Sequence, residues 1–266
     1  MLTTDFVQTA AMQAGLVNPS IVVRQLDVPV AHTIELDALR PTYPASMIKL
    51  PIACAIYTLV ERRLLDAESR VEITADNMTL TDMASPFVPG YVASIAELVE
   101  LMITRSDNVA TNCLIDVGDR RRINDIVAEL GLGSTLINRK LSGADPRIAD
   151  PQSLGENSHP AADFAKLAEE IHYQRVPYAR LMQEILSRQE WNDRLSRGLE
   201  SGDRFAHKTG DTSTVCHDGG ILRLASGECW IVVAYTECPE DAGNVDRFRT
   251  FASAIRPFLS ATPSSH

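Results

Sequence analysis

Apolar positions along the chain fall into three blocks of different period. Over 4–14 they recur at helical spacing (Phe6, Val7, Ala10, Ala11, Ala14), and Gly15 ends the run. Two short strand-like runs follow at 21–26 and 32–36, joined by a turn through Asp27 and Pro29. Beyond the loop of Pro41 and Pro44 the period becomes helical. The stretch 47–65 is apolar on nearly every side, which predicts a buried helix. Ser94-Ile-Ala-Glu97 has the form of a capping box and opens a helix over 95–104. Further helices are predicted over 108–117, 123–130, 161–171, 176–187 and 191–199. Strand signals return at 204–209, 215–224 and 229–237. An amphipathic helix over 245–259 follows, with Phe248, Phe251, Ile255 and Leu259 on one face.

Strands at both ends with helices between them imply an α+β fold. One antiparallel sheet is built from both chain ends and flanked by the terminal helices, with an all-helical insertion. The expected division is a sheet lobe of 1–36 and 204–266 and a helical lobe of 37–203, with a site in the cleft between them.

Composition narrows the partners. Of 266 residues, 45% are apolar and 23% charged, which excludes a disordered chain. No apolar run nears the ~18 residues of a membrane span. Lys and Arg number 25 against 35 Asp and Glu, and the net charge of −10 repels phosphate backbones. The one basic cluster is Arg120 to Arg122. We therefore expect a small-molecule substrate, with neither nucleic acid nor membrane as partner. Cys54, Cys113, Cys216, Cys229 and Cys238 are scattered among apolar neighbours without a C-x-x-C pair and read as buried thiols. The N-terminus has neither a basic nor an apolar leader region. These two features lead us to expect a cytoplasmic protein, exported only if a leader has been removed. The histidines show no zinc-ligand spacing, so neither metal nor cofactor is expected.

Candidate chemistry lies at the joints between blocks. The 25 basic residues include only four lysines: Lys49, Lys140, Lys166 and Lys208. A lysine that resists this arginine bias can serve as a base, which guanidinium cannot. Lys49 closes Ser46-Met-Ile-Lys49 at the start of the apolar helix, where a spacing of three brings its amine over the serine hydroxyl. Ser106-Asp107-Asn108 falls at the break between two helices. Lys208-Thr209-Gly210 lies on the first strand after the helical block. His217 and Asp218 are adjacent on a strand and so face opposite ways. His217 reads as a strand residue, and Asp107 as structural.

These three elements, in this order, resemble the S-x-x-K, S-D-N and K-T-G motifs of the penicillin-recognising serine enzymes, meaning class A β-lactamases and penicillin-binding proteins. The resemblance covers nearly the whole chain. It implies a serine hydrolase in which Ser46 is the nucleophile that forms an acyl-enzyme. Lys49 takes or relays its proton, with its basicity tuned by burial and by Lys208. Ser106 passes the proton to the leaving group. Asn108 holds the substrate amide, Lys208 and Thr209 bind an anionic or carbonyl group, and Gly210 completes the motif. The backbone N–H groups of Ser46 and Asp211 form the oxyanion hole.

Two positions depart from that family. Class A enzymes carry a glutamate that activates the deacylating water, and its position falls here at Leu141 or Ser142. The nearest acids are Asp145, Asp150 and Glu156, of which Glu156 is the candidate base. Asp211 places a carboxylate just after K-T-G, where it weakens anionic ligands unless it points away. The expected function is hydrolysis of an ester, amide or β-lactam through Ser46. The alternatives are a true β-lactamase with an unrecognised base, and a penicillin-binding or sensor domain that acylates without turnover.

Overall fold

The computed structural model describes residues 2–81, 83–143, 147–239 and 241–260. Helix α1 (Thr4–Gln13) is capped by the Thr3 hydroxyl and leads into strands β1 (Ser20–Gln25) and β2 (Thr33–Leu36). The middle of the chain holds α2 (Lys49–Glu61), the short strands β3 (Arg70–Glu72) and β4 (Val92–Ser94), and α3 (Ile95–Thr104). It continues with α4 (Asn108–Gly118), α5 (Arg120–Glu129), α6 (Ala161–His172) and α7 (Ala179–Ser187). Strands β5 (Arg204–Asp211), β6 (Cys216–Arg223) and β7 (Cys229–Thr236) and helix α8 (Asn244–Leu259) follow.

The five long strands form one antiparallel sheet in the order β2-β1-β7-β6-β5, the α+β arrangement expected. The chain ends meet at the β1–β7 ladder, where Ser20 stands opposite Tyr235 and Gln25 opposite Trp230. Strand alternation sends successive side chains to two different cores. Val22, Ile221, Ile231, Val233 and Tyr235 join the helical side. Ile21, Val23, Leu222, Trp230 and Val232 join the side covered by α1 and α8. Both faces being covered, β7 is buried at every position.

Three expectations need correction. The insertion is not all-helical, because β3 and β4 pair as a ribbon within it. Three-residue strands are too short to show an alternation. The helix expected over 47–65 begins at Lys49, preceded by a 3-10 turn (Ala45–Ile48), and ends at Glu61. Ala45 opens that turn in a left-handed conformation (φ 45°), and Pro51 has no N–H to offer the Met47 carbonyl. At the other end Arg63 adopts a left-handed conformation (φ 58°) that stops the helix. The helix expected over 191–199 is only a 3-10 turn (Leu195–Gly198). There the Leu195 N–H donates to Asp218 Oδ2 (3.0 Å) and Asn192 Nδ2 to the Gln189 carbonyl (2.5 Å). Side chains thus take the bonds a helix would need.

At Lys140 and Asp150 the chain between α5 and α6 is tied back to the start of α5. Arg120 Nη2 forks onto both oxygens of Asp150 (2.8 and 2.7 Å) in a buried ion pair, and the Lys140 N–H donates to Asp150 Oδ2. Burial works to raise the Asp150 carboxyl, but these bonds hold it below the ordinary aspartate value. Among the described residues no helix is long and apolar enough to cross a membrane. All five cysteines are buried thiols, and burial alone pushes Cys54 up to about 12.

Candidate active site

The site forms where the edge strand β5 meets the 3-10 turn and the start of α4. Ser46 sits in that turn, and Lys49, the first residue of α2, is fully buried beneath it. Lys49 Nζ lies 2.8 Å from Ser46 Oγ, 2.6 Å from the Ser106 carbonyl, 3.0 Å from Ser106 Oγ and 2.8 Å from Asn108 Oδ1. Asn108 is locked in this orientation because its Nδ2 donates to the Leu80 carbonyl (3.0 Å). Lys208, also fully buried, donates to Ser106 Oγ (3.0 Å) and to the Thr209 carbonyl (2.8 Å). Two buried lysines thus share one serine hydroxyl. Burying cations is costly unless acceptors surround them, and the three motifs provide those acceptors.

Backbone strain sits at the same place. Ser106 has φ 60° and Ala45, beside Ser46, has φ 45°. Each costs on the order of 1 kcal/mol for a residue with a Cβ. At Ser106 the left-handed turn presents carbonyl and hydroxyl together to Lys49. Asp107 then caps α4, its Oδ1 accepting from the Ala110 N–H (2.8 Å), which is the structural role expected of it.

Gly210 explains itself by contact. A Cβ there would stand 2.8 Å from the Ser46 nitrogen and 3.0 Å from that of Met47. The strand therefore packs backbone to backbone against the turn that carries Ser46. Gly210→Ala should displace that turn and slow acylation of Ser46 by about tenfold or more, since small misplacements are costly at a reacting centre. Labelling kinetics with a fluorophosphonate would measure this, with an unfolding curve to show that the fold survives.

Thr209 and Asp211 lie on the opposite face of β5 from Lys208 and Gly210. Thr209 is buried, while Asp211 reaches the rim and pairs with Arg194 (Nη2 to Oδ1, 3.0 Å). Glu156 is half exposed and bound to Arg147 (2.5 Å) and Arg139 (3.4 Å), and the Arg147 hydrogen bond holds its carboxyl below the usual range. Leu141 is tied through its backbone to Asn112, whose Oδ1 accepts its N–H (2.8 Å) and whose Nδ2 donates to its carbonyl (2.9 Å). Ser142 Oγ accepts the Ile148 N–H (3.0 Å). Asp145 lies outside the described residues. The structure therefore brings Ser46, Lys49, Ser106, Asn108, Lys208 and Gly210 together. It places Asp211 at the edge and Glu156 among arginines.

Sequence reasoning missed the supports. Arg194 anchors Asp211 from a segment expected to be helical. His217 accepts the Thr236 N–H at Nδ1 (3.1 Å) and donates from Nε2 to the Tyr43 carbonyl (3.0 Å), tying β6 to the segment before Ser46. Burial lowers His217 to about 4, and His159, buried nearby, to about 3. Both are neutral when folded, but the unfolded chain takes up their protons below ~6.5. Stability should be full above that pH and fall as pH drops toward 4, by about 3 kcal/mol for His217 alone. Urea unfolding at pH 7 and pH 5 checks the slope, and a flat profile would contradict it.

A fold that closes its sheet with both chain ends, and two serines gathered around two buried lysines at the sheet edge, define a class of active-serine proteins. The comparisons agree. Residues 3–258 match the model of the beta-lactamase enzyme family, and the chain belongs to that family. Beta-lactamase BRO-1 of Moraxella catarrhalis is 26% identical over 220 residues, covering 76% of this chain. The aligned region spans 65% of that relative's length. The structure of PBP-A superposes with a TM-score of 0.83 at 25% identity, covering 96% of each chain. A variant of PBP-A is known as an acyl-enzyme complex with penicillin G. The beta-lactamase from Sphaerobacter thermophilus shares the fold with a TM-score of 0.83 at 23% identity, covering 99% of this chain and all of that one.

Proposed function

We propose that this chain is a serine hydrolase that forms an acyl-enzyme on Ser46 from an ester, amide or β-lactam. The observation that carries the reading is the set of acceptors around Lys49. The Ser106 carbonyl and Asn108 Oδ1 can only accept, so they engage two N–H bonds. In its deprotonated form the amine has no third N–H to give, and its lone pair can take the Ser46 hydroxyl proton. Ser46 Oγ, at 2.8 Å, is in reach. Lys49 then takes the Ser46 proton as Oγ bonds to the substrate carbonyl carbon. The oxyanion meets the backbone N–H groups of Ser46 and Asp211. From Lys49 the proton passes to Ser106 Oγ, 3.0 Å away, and on to the leaving group as its bond to carbon breaks. Lys208 holds the Ser106 hydroxyl in place. The penicillin G acyl-enzyme of PBP-A supports a β-lactam as one acyl donor.

The test is covalent. Fluorescent penicillin or a fluorophosphonate should add one adduct, mapped to the Ser46 peptide and lost in Ser46→Ala. An adduct on Ser106, or none with either reagent, would refute the assignment. A second reading, efficient β-lactamase turnover, is favoured by the likeness to BRO-1. It differs from the first in the speed of deacylation, with Glu156 as its candidate base.

A further inference from the structure

The rim of the site carries an ion pair that the mechanism above does not use. Arg194 is buried and approaches three carboxylates. Its Nη2 lies 3.0 Å from Asp211 Oδ1 and its Nη1 3.6 Å from Asp193 Oδ1, while Asp218 acts on it through space. Its Nε donates to Cys216 Sγ (3.1 Å). Asp218 is already engaged, accepting from Leu195 N and bonded to His207 Nδ1 (2.7 Å). Asp211 is different: it is about one-third exposed, and it follows the glycine that packs on the Ser46 nitrogen. Its backbone thus adjoins the Ser46 turn, and its carboxylate stands part-exposed at the end of β5 beside that turn.

Two consequences follow from elementary electrostatics. An incoming anion meets a like charge at this edge, and the guanidinium that could compensate is already held by the chain's own carboxylate. Arg194, Asp193 and Asp211 together sum to a net charge of −1 at the rim. We infer that Asp211, by occupying Arg194, makes this site select acyl donors with no carboxylate beside the scissile bond, neutral esters and amides above all. The inference rests on Ser46 being the acylated residue and names the substrate class of that same site. Substituting Asp211 releases Nη2 of Arg194, while Nη1 keeps its ion pair with Asp193. The preference should then invert.

The experiment is a matched pair of reagents, penicillin G and its methyl ester, which differ only in the carboxylate. Acylation of Ser46 is followed by intact mass, with a fluorophosphonate as a third, unrelated label. In the native protein the methyl ester should acylate faster than the free acid. In Asp211→Asn the ratio should shift toward the acid by about 10- to 100-fold, the scale of one or two charge-assisted hydrogen bonds. Asp211→Ser provides a second variant should the amide disturb folding, and the native ratio needs no variant at all. A native protein that prefers the free acid, or a ratio unmoved by both substitutions, overturns the inference while leaving Ser46 acylation intact. No adduct from any of the three reagents overturns the Ser46 reading itself, and the inference with it.

Discussion

Lys49→Arg is expected to slow acylation of Ser46 by about 10²–10⁴-fold, the usual scale of lost general-base catalysis. Guanidinium keeps the positive charge but cannot accept a proton at any working pH. If Lys49 served only as a cation, the substitution would cost little beyond packing. The buried position leaves little room, so Lys49→Met serves as a second probe that removes the amine with less added bulk. Lys208→Arg provides the contrast. Lys208 donates to Ser106 Oγ and to a backbone carbonyl, a task arginine can perform, so its loss should be clearly smaller. Stopped-flow acylation with a chromogenic ester measures all three variants on one scale. Equal losses at the two lysines would refute the division of labour between them.

Much of this site is legible in the amino-acid sequence. The scarcity of lysine, the three-residue spacing of Ser46 and Lys49, and the placement of all three motifs at element joints point to the residues that share hydrogen bonds in the fold. The sheet is also within reach, because strands confined to the two chain ends can form a single sheet only by pairing with each other. The features that escape a sequence reading have a common physical cause. The 3-10 turn at Ser46 opens at Ala45, held at φ 45°, and packs on Gly210, far along the chain. The 191–199 segment has helical periodicity, but Asp218, distant in sequence, draws off the Leu195 N–H. Asp211 stands out as a carboxylate in an unusual place, but the direction in which it points does not. Arg194, its partner, lies in the same segment whose periodicity suggests a helix that does not form. Contacts of long sequence separation decide such cases, and no local pattern reports them.

A penicillin is expected to acylate Ser46 and then leave slowly, so that it behaves as a long-lived inhibitor of the ester hydrolysis proposed for Ser46. The reason lies at Leu141 and Ser142. Leu141 is buried and fixed at both backbone atoms by Asn112, and Ser142 is a weak base at neutral pH. Glu156 is held as an ion by two arginines at the surface, which lowers its appetite for a proton. Among the described residues, Lys49 and Ser106 are then left to activate water at the acyl-enzyme. The bulky ring of an opened penicillin obstructs that approach, while the compact acyl group of a small activated ester does not. Esters should therefore turn over faster than β-lactams. Mass spectrometry after a chase would show the penicillin adduct persisting while the ester adduct decays. Placing a carboxylate at this position, in Leu141→Glu or Ser142→Glu, should speed release of the penicillin adduct by about 10²-fold or more, as added general-base catalysis does. If instead the native adduct never accumulates and β-lactam is consumed rapidly, a base is already present. Glu156→Gln would then be the decisive variant, since losing rapid turnover there, with acylation intact, establishes the β-lactamase reading.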